Sequence, residues 1–275
     1  MKALNNTFKT GIVHLAPIVI SLLFGVLCAH LLLTASVEFY QVTPFQEGVG
    51  SIGNALYFVI LVGVGATLLY LLLKRRNLKL VTLITGAALT SAVFMLSFFY
   101  IIALSSIFPI LYSDTLVLLL SLCITAMVDF AIFRARNRIC DLAVLFLGGA
   151  LGAFLGNSIP TLSAISILGA LAVYDVFAVY HGPVGKIAHI GLEQLRGLSF
   201  SFKEVQVGLG DLTFYSMLAS RVLVSSGPFF CLASFVGIMI GVFLAFKMLE
   251  KKGMFPGLPF PIAFGLLPLI VSLFL

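Results

Sequence analysis

The chain has 275 residues, of which 61% are hydrophobic and only 9% are charged, and its mean hydropathy is +1.20. A soluble domain would carry roughly a quarter charged residues, so this composition excludes the soluble globular classes. The formal net charge of +6 fits basic loops on one side of a membrane better than a nucleic-acid surface. The sequence therefore predicts a multi-pass integral membrane protein whose surroundings are the lipid bilayer, with no nucleic-acid partner.

The apolar runs predict helices, because each is about 20 residues long and none shows the ten-residue alternation of a membrane barrel. The first run follows Lys2 and Lys9, but it is longer than the apolar part of a signal peptide, so we interpret it as a membrane span. Helices satisfy their own backbone hydrogen bonds in lipid, which predicts an all-α bundle of nine spans. The predicted spans are 11–33, 53–73, 80–104, 115–133, 142–157, 161–181, 205–224, 229–247 and 256–275.

The distribution of basic residues predicts the orientation of these nine spans. The N-terminus and the loops after the second, fourth, sixth and eighth spans together hold 15 of the 16 Lys and Arg residues. Only Arg221, near the far end of the seventh span, departs from the pattern. Cytoplasmic loops carry the excess of positive charge. We therefore expect a cytoplasmic N-terminus and an external C-terminus.

Three acidic residues lie inside predicted spans, where an ionisable group is costly and usually functional. Asp175 is six residues before the predicted inner end of span six, and Asp211 is six residues after the predicted start of span seven. At about 1.5 Å per residue, both carboxyls would lie roughly 9 Å below the cytoplasmic surface. Asp129 is five residues from Arg134, so we expect it to pair with the basic loop or to reach the interface.

Two carboxyls at one depth predict a specific chemistry. Like charges in a medium of low dielectric cannot both ionise cheaply, so the pair would share one proton. The ionised carboxyl would take a proton from water while the protonated one polarises a scissile carbonyl. This mechanism of an aspartic protease needs no metal and no cofactor. The residues alone leave a second interpretation open, in which the aspartates serve a proton-coupled transporter or an ion-leak channel.

Residues beside the two aspartates favour a protease. Gly208-Leu209-Gly210 directly precede Asp211, and glycines allow close approach of another backbone and loosen the helix locally. Tyr174 precedes Asp175 and offers a hydroxyl to the acids or to a substrate. Pro256-Gly257-Leu258-Pro259-Phe260-Pro261 opens the last span, and its prolines prevent a regular helix start. Free carbonyls there would be able to pair with an extended substrate.

These three motifs together resemble the presenilin and signal peptide peptidase family of GxGD intramembrane aspartyl proteases. Tyr174-Asp175 corresponds to the family's YD motif, Gly208-Leu209-Gly210-Asp211 to its GxGD motif, and Pro256-Gly257-Leu258 to its PAL motif. The resemblance implies cleavage of peptide bonds inside transmembrane segments of other proteins, with Asp175 and Asp211 as catalytic residues. Pro256, Gly257 and Leu258 would position the substrate and the active site. The family's alanine is Gly257 here, which leaves a catalytically inactive homologue as an alternative.

The resemblance also implies a domain organisation. Residues 1–181 would form an N-terminal part of six spans, 182–204 a cytoplasmic loop, and 205–275 a part of three spans around which the first six wrap. A cytoplasmic N-terminus is the presenilin orientation, which predicts substrates with their own N-terminus outside. The short loop suggests a compact microbial homologue of archaeal type. We expect it to act without obligate partner subunits, and homo-oligomer formation is left open.

Overall fold

The computed structural model describes residues 1–3, 9–35, 41–75, 78–108, 113–135, 137–182, 185 and 197–274. Most of the predicted cytoplasmic loop, 183–184 and 186–196, lies outside these residues. So do four basic residues used in the charge count, Arg76, Arg136, Lys186 and Arg196.

Apolar sequence folds into long helices, as the composition predicts. Within the described residues the helices are α1 (Ala16–Thr34), α2 (Gly50–Lys74), α3 (Leu78–Ile107), α4 (Asp114–Phe133), α5 (Asn137–Ser158), α6 (Thr161–Tyr180), α7 (Leu209–Lys252) and α8 (Pro259–Ser272). Helices α1 to α7 are long and apolar enough to cross a membrane, and α8 is a shorter apolar helix. The protein is an integral, multi-pass membrane protein.

Helix α7 is a hairpin of two arms. Its 44 residues would extend about 66 Å if straight, roughly twice the thickness of the hydrocarbon core. Gly227 interrupts it with φ 83° and ψ 179°, and Pro228 follows without a backbone N–H. The Cys231 thiol lies 3.4 Å from the carbonyl of Ala219, twelve residues earlier, which only a reversal of direction allows. We name the arms α7a (209–226) and α7b (228–252); they lie where the sequence predicts two separate spans.

A small sheet precedes α7, and it corrects one prediction. Val205–Gly208 forms strand β3 rather than the start of a helix, and it pairs antiparallel with Ser199–Phe202, strand β2. The alternation in Val-Gln-Val suits a strand, and both valines are buried. Helix α7 therefore begins at Leu209, and Asp211 lies in its first turn rather than six residues into the helix.

The other edge of β3 carries the first residues of the chain. Lys2–Ala3, strand β1, pairs antiparallel with β3 and places Lys2 opposite Gln206. The backbone nitrogen of Met1 lies 3.1 Å from the carbonyl of Phe255, and the nitrogen of Phe255 lies 3.3 Å from the carbonyl of Met1. An extended segment thus lies between β3 and the approach to α8.

Helix α5 supports α7a through a row of glycines. A Cβ added to Gly152 would lie 2.5 Å from both the Ser216 Cβ and the Thr213 carbonyl oxygen, and one added to Gly156 would lie 2.7 Å from the Met217 oxygen. Small residues at such positions let two backbones approach closely inside a membrane. This contact fixes the height and rotation of α7a, the arm that carries Asp211.

Arg221, the residue that departs from the charge pattern, has a structural partner. Its guanidinium donates to the carbonyls of Ile159 at 3.0 Å and Gly156 at 3.4 Å, at the C-terminal end of α5. A cation is favourable near the unpaired carbonyls of a helix C-terminus. Packing between α5 and α7a therefore explains its position.

Candidate active site

Asp175 lies on α6 and is held by the segment that precedes α8. The Leu258 N–H donates to its Oδ2 at 3.0 Å. The prolines on either side of Gly257 and Leu258 keep the segment from continuing the helix, so its N–H groups are free to bind an acid. Asp175 thereby joins α6 to the start of α8.

Asp211 lies at the junction between β3 and α7. Gly208 is the N-cap of α7, with extended φ −74° and ψ 148°, so Asp211 is the third residue of the helix. A Cβ added to Gly208 would lie 3.8 Å from Asp211 Oδ2. The helix N-terminus is also a favourable place for an acidic side chain.

The two aspartates meet at Gly257 and Leu258. A Cβ added to Gly257 would lie 2.6 Å from Asp211 Oδ2 and 2.7 Å from its Oδ1 and Cγ, so this carboxyl rests directly on the glycine. The neighbouring N–H of Leu258 binds Asp175. The two carboxyls are also close enough to interact electrostatically. One short segment therefore contacts both acids that the sequence singled out.

The other residues of the three motifs take different positions. Pro256, Gly257 and Leu258 are all buried beside the aspartates. Leu209 is also buried, and its N–H donates to the carbonyl of Leu198 at 2.8 Å. Gly210 is exposed, and an added Cβ would meet nothing nearer than the Phe214 ring at 3.9 Å. Among the described residues, the space beside Gly210 is therefore open.

Tyr174 faces α2. A Cβ added to Gly63 on that helix would lie 3.3 Å from the Tyr174 hydroxyl, so the ring packs on the glycine. Tyr174 also lies close enough to Asp175 to interact with it electrostatically. A second tyrosine of the site is Tyr215, whose hydroxyl donates to the carbonyl of Gly257 at 2.7 Å. Sequence reasoning missed Tyr215. Its spacing of four residues from Asp211, which places both on one helix face, was the available signal.

Asp129 has a partner that the sequence did not predict. Its Oδ2 accepts a hydrogen bond from the Thr90 hydroxyl at 2.8 Å, which joins α4 to α3. Its Oδ1 is buried and has no hydrogen-bond partner among the described residues. Arg136 of the basic loop lies outside those residues, so the expected pairing with that loop stays a prediction.

Comparisons with known proteins identify the class to which this fold and site belong. A family model described as signal-peptide peptidase, presenilin aspartyl protease matches residues 18–190. The chain belongs to this family. The matched part contains Asp175 and ends before Asp211.

Individual relatives agree with this assignment. Presenilin-B of Dictyostelium discoideum is 26% identical over 230 residues, which are 78% of this chain and 47% of that protein. The chain thus spans about half the length of this curated relative. Two solved structures of a presenilin family intramembrane aspartate protease have the same fold. The C222 crystal form matches with TM-score 0.67 and 20% identity over 94% of this chain and 98% of that chain. The P2 form matches with TM-score 0.66 and 19% identity over 96% and 98%.

Proposed function

We propose that this protein is an intramembrane aspartic endopeptidase that hydrolyses peptide bonds within transmembrane segments of other membrane proteins, with Asp175 and Asp211 as catalytic residues. The observation that carries the proposal is the contact of both carboxyls with one segment, Gly257-Leu258. Two acids at this separation in sequence, brought to one place from α6 and α7, have the arrangement that acid–base hydrolysis requires. Membership of the family supports the same reaction class.

The chemistry follows from the shared proton. The ionised carboxyl takes a proton from water, and the water oxygen forms a bond to the scissile carbonyl carbon while the protonated carboxyl donates to the carbonyl oxygen. The resulting tetrahedral species then breaks its C–N bond as the amide nitrogen takes the proton that the first carboxyl removed from water, and one hydroxyl returns its proton to the second carboxylate. The products are a carboxylic acid and an amine. No covalent intermediate with the protein forms, so no nucleophilic side chain is required.

A substrate must be extended where it is cut, because a helix shields its own peptide bonds. Met1 and β1 support a place for such a strand, since they lie extended between β3 and Phe255, beside the two acids. Backbone pairing with a strand edge is a general way to hold an extended peptide. Both edges of β3 are paired in the structure, so a substrate strand would take the place of β1.

We also propose the nine-span topology that the sequence predicts. It is supported by α1 to α6, the two arms of α7, and α8, which together supply nine helical segments in chain order. The charge pattern supports a cytoplasmic N-terminus and an external C-terminus. In this orientation the pair lies toward the cytoplasmic side, and substrates have their N-terminus outside. The protein acts without obligate partner subunits.

The proposal is tested with purified protein in lipid vesicles and a synthetic peptide that spans the bilayer once. We expect cleavage, with both new ends mapped by mass spectrometry to positions inside the apolar segment. Folded protein that leaves such peptides intact would contradict the proposal. An ion or proton flux across the vesicles without cleavage would favour the transporter interpretation instead.

Gly257→Ala probes the contact between the Gly257-Leu258 segment and Asp211. The added Cβ would lie 2.6 to 2.7 Å from the carboxyl atoms, so either Asp211 or the segment that binds Asp175 has to move. Misplacement of a catalytic group by a fraction of an ångström to 1 Å slows a reaction by about 10- to 100-fold. We expect kcat for peptide cleavage to fall by about 10-fold.

Gly65→Ala is the matched control for this substitution. Gly65 lies on α2, and an added Cβ there would meet no atom of the described residues within 4 Å. Its cleavage rate should stay within about twofold of the original protein. An equal rate for Gly257→Ala would show that the Asp211 carboxyl leaves the glycine without functional consequence.

A further inference from the structure

Tyr215 is completely buried, and its hydroxyl contacts the segment against which both aspartates lie. It lies on α7a, one helical turn after Asp211, and its side chain has 0% exposure. Its hydroxyl donates to the Gly257 carbonyl at 2.7 Å. A buried tyrosine hydroxyl is normally paired, and this one is paired with the segment that contacts both aspartates.

The Tyr215 bond and the Asp175 bond act on one peptide unit. The Gly257 carbonyl and the Leu258 N–H belong to the same planar amide, and in a trans peptide they point in opposite directions. The carbonyl accepts from Tyr215, and the N–H donates to Asp175 Oδ2 at 3.0 Å. Rotation of this plane would therefore weaken both hydrogen bonds together.

We infer that Tyr215 is a positioning residue, which sets the orientation of the Gly257–Leu258 peptide and through it the position of the Asp175 carboxyl relative to Asp211. The inference rests on the proposed protease function of the two acids. Tyr215 is on the helix that carries Asp211, and the peptide it binds holds Asp175. It therefore couples the geometry of α7 to the acid on α6 without touching a substrate.

A residue that acts in this way affects turnover rather than substrate binding. Tyr215 is buried on all sides, so its loss removes no contact with a bound peptide. Without the hydroxyl, the Gly257 carbonyl loses its donor and the amide plane is free to turn away from Asp175. The cost of one ordinary hydrogen bond corresponds to a rate change of about 10-fold.

Tyr215→Phe is the test, because it keeps the ring and removes only the hydroxyl. We expect kcat for the membrane-spanning peptide to fall by about 10-fold while KM stays within about twofold. Tyr100→Phe is the matched control. The Tyr100 hydroxyl, on α3, likewise donates to a backbone carbonyl at 2.7 Å. This carbonyl is that of Ala150 on α5. Its loss should lower the melting temperature about as much as Tyr215→Phe does and leave kcat within twofold.

The outcomes separate the possibilities. The inference is overturned if kcat of Tyr215→Phe stays within twofold of the original protein, if KM rather than kcat changes, or if Tyr100→Phe loses as much turnover. It is also overturned if Tyr215→Phe fails to fold while Tyr100→Phe folds, because the hydroxyl would then serve the fold. Failure of the proposed function would be seen differently, as an absence of cleavage by the unchanged protein.

Discussion

Asp175→Asn and Asp211→Asn should each abolish cleavage of a membrane-spanning peptide, with a loss of at least about 1000-fold in kcat/KM. Asparagine has nearly the size and shape of aspartate, so packing around the site is retained. Its amide neither takes a proton from water nor donates an acidic one, and the remaining acid has lost the partner with which it shares a proton. The measurement is the initial rate of product formation by mass spectrometry or gel.

Asp129→Asn is the control for the removal of a membrane aspartate as such. Asp129 lies in α4 and binds the Thr90 hydroxyl, a contact that asparagine can also make through its amide oxygen. The cleavage rate of Asp129→Asn should stay within about twofold of that of the unchanged protein. Cleavage above a few per cent in either of the other two variants would rule out the pair as the catalytic machinery. Equal losses in all three variants would point to a general effect of lost charge.

Gly152→Ala should lower the free energy of unfolding by about 2 kcal/mol, although it adds only a methyl group. The new Cβ would lie 2.5 Å from the Thr213 carbonyl oxygen and 2.8 Å from the Met217 nitrogen. Both atoms are backbone of α7a, so the helix itself must move rather than a flexible side chain. Thermal or denaturant unfolding of the purified protein in detergent measures the change. Because α7a carries Asp211, the cleavage rate should fall with it.

Gly169→Ala, on α6, is the matched control for that substitution. In the part of the chain that the structure describes, an added Cβ at Gly169 would meet nothing within 4 Å. Alanine also favours a helix by up to about 1 kcal/mol over glycine, so this variant should be as stable as the unchanged protein or more so. If the two variants unfold alike, then close contact between α5 and α7a does not stabilise the molecule.

Much of the fold was predictable because lipid restricts the choices. Long apolar runs must be helices in a bilayer, and the helices of the structure lie on the predicted spans to within a few residues at most ends. The start of α7 differs in the type of structure and not only in its bound. Pattern reasoning extended the apolar helix back to Val205, but pairing with β2 makes Val205–Gly208 a strand. A hydropathy pattern does not show which segments pair, so the pairing of Val205–Gly208 with β2 is seen only in the folded protein.

The sequence singles out the two acids of the candidate site but not the contacts that connect them. Asp175 and Asp211 are identified by the cost of a charge inside an apolar segment, which needs no coordinates. Tyr174 is adjacent in sequence to Asp175, and its ring packs on Gly63 of α2. Tyr215, four residues after Asp211, holds the Gly257 carbonyl. Direction around a helix, rather than distance along the chain, decides which tyrosine reaches the segment.

The amino-acid order by itself determined that this chain lies in a membrane as helices, because transfer of apolar groups between water and lipid depends on composition and spacing. It also singled out two acids by the cost of a charge in an apolar segment, and their catalytic role stays a prediction. Only the tertiary structure decided that Gly257-Leu258 receives both acids, that α7 reverses at Gly227, and that Arg221 binds the end of α5. Those features depend on contacts between residues far apart in sequence. Such contacts are set by packing and by hydrogen-bond pairing in the folded protein.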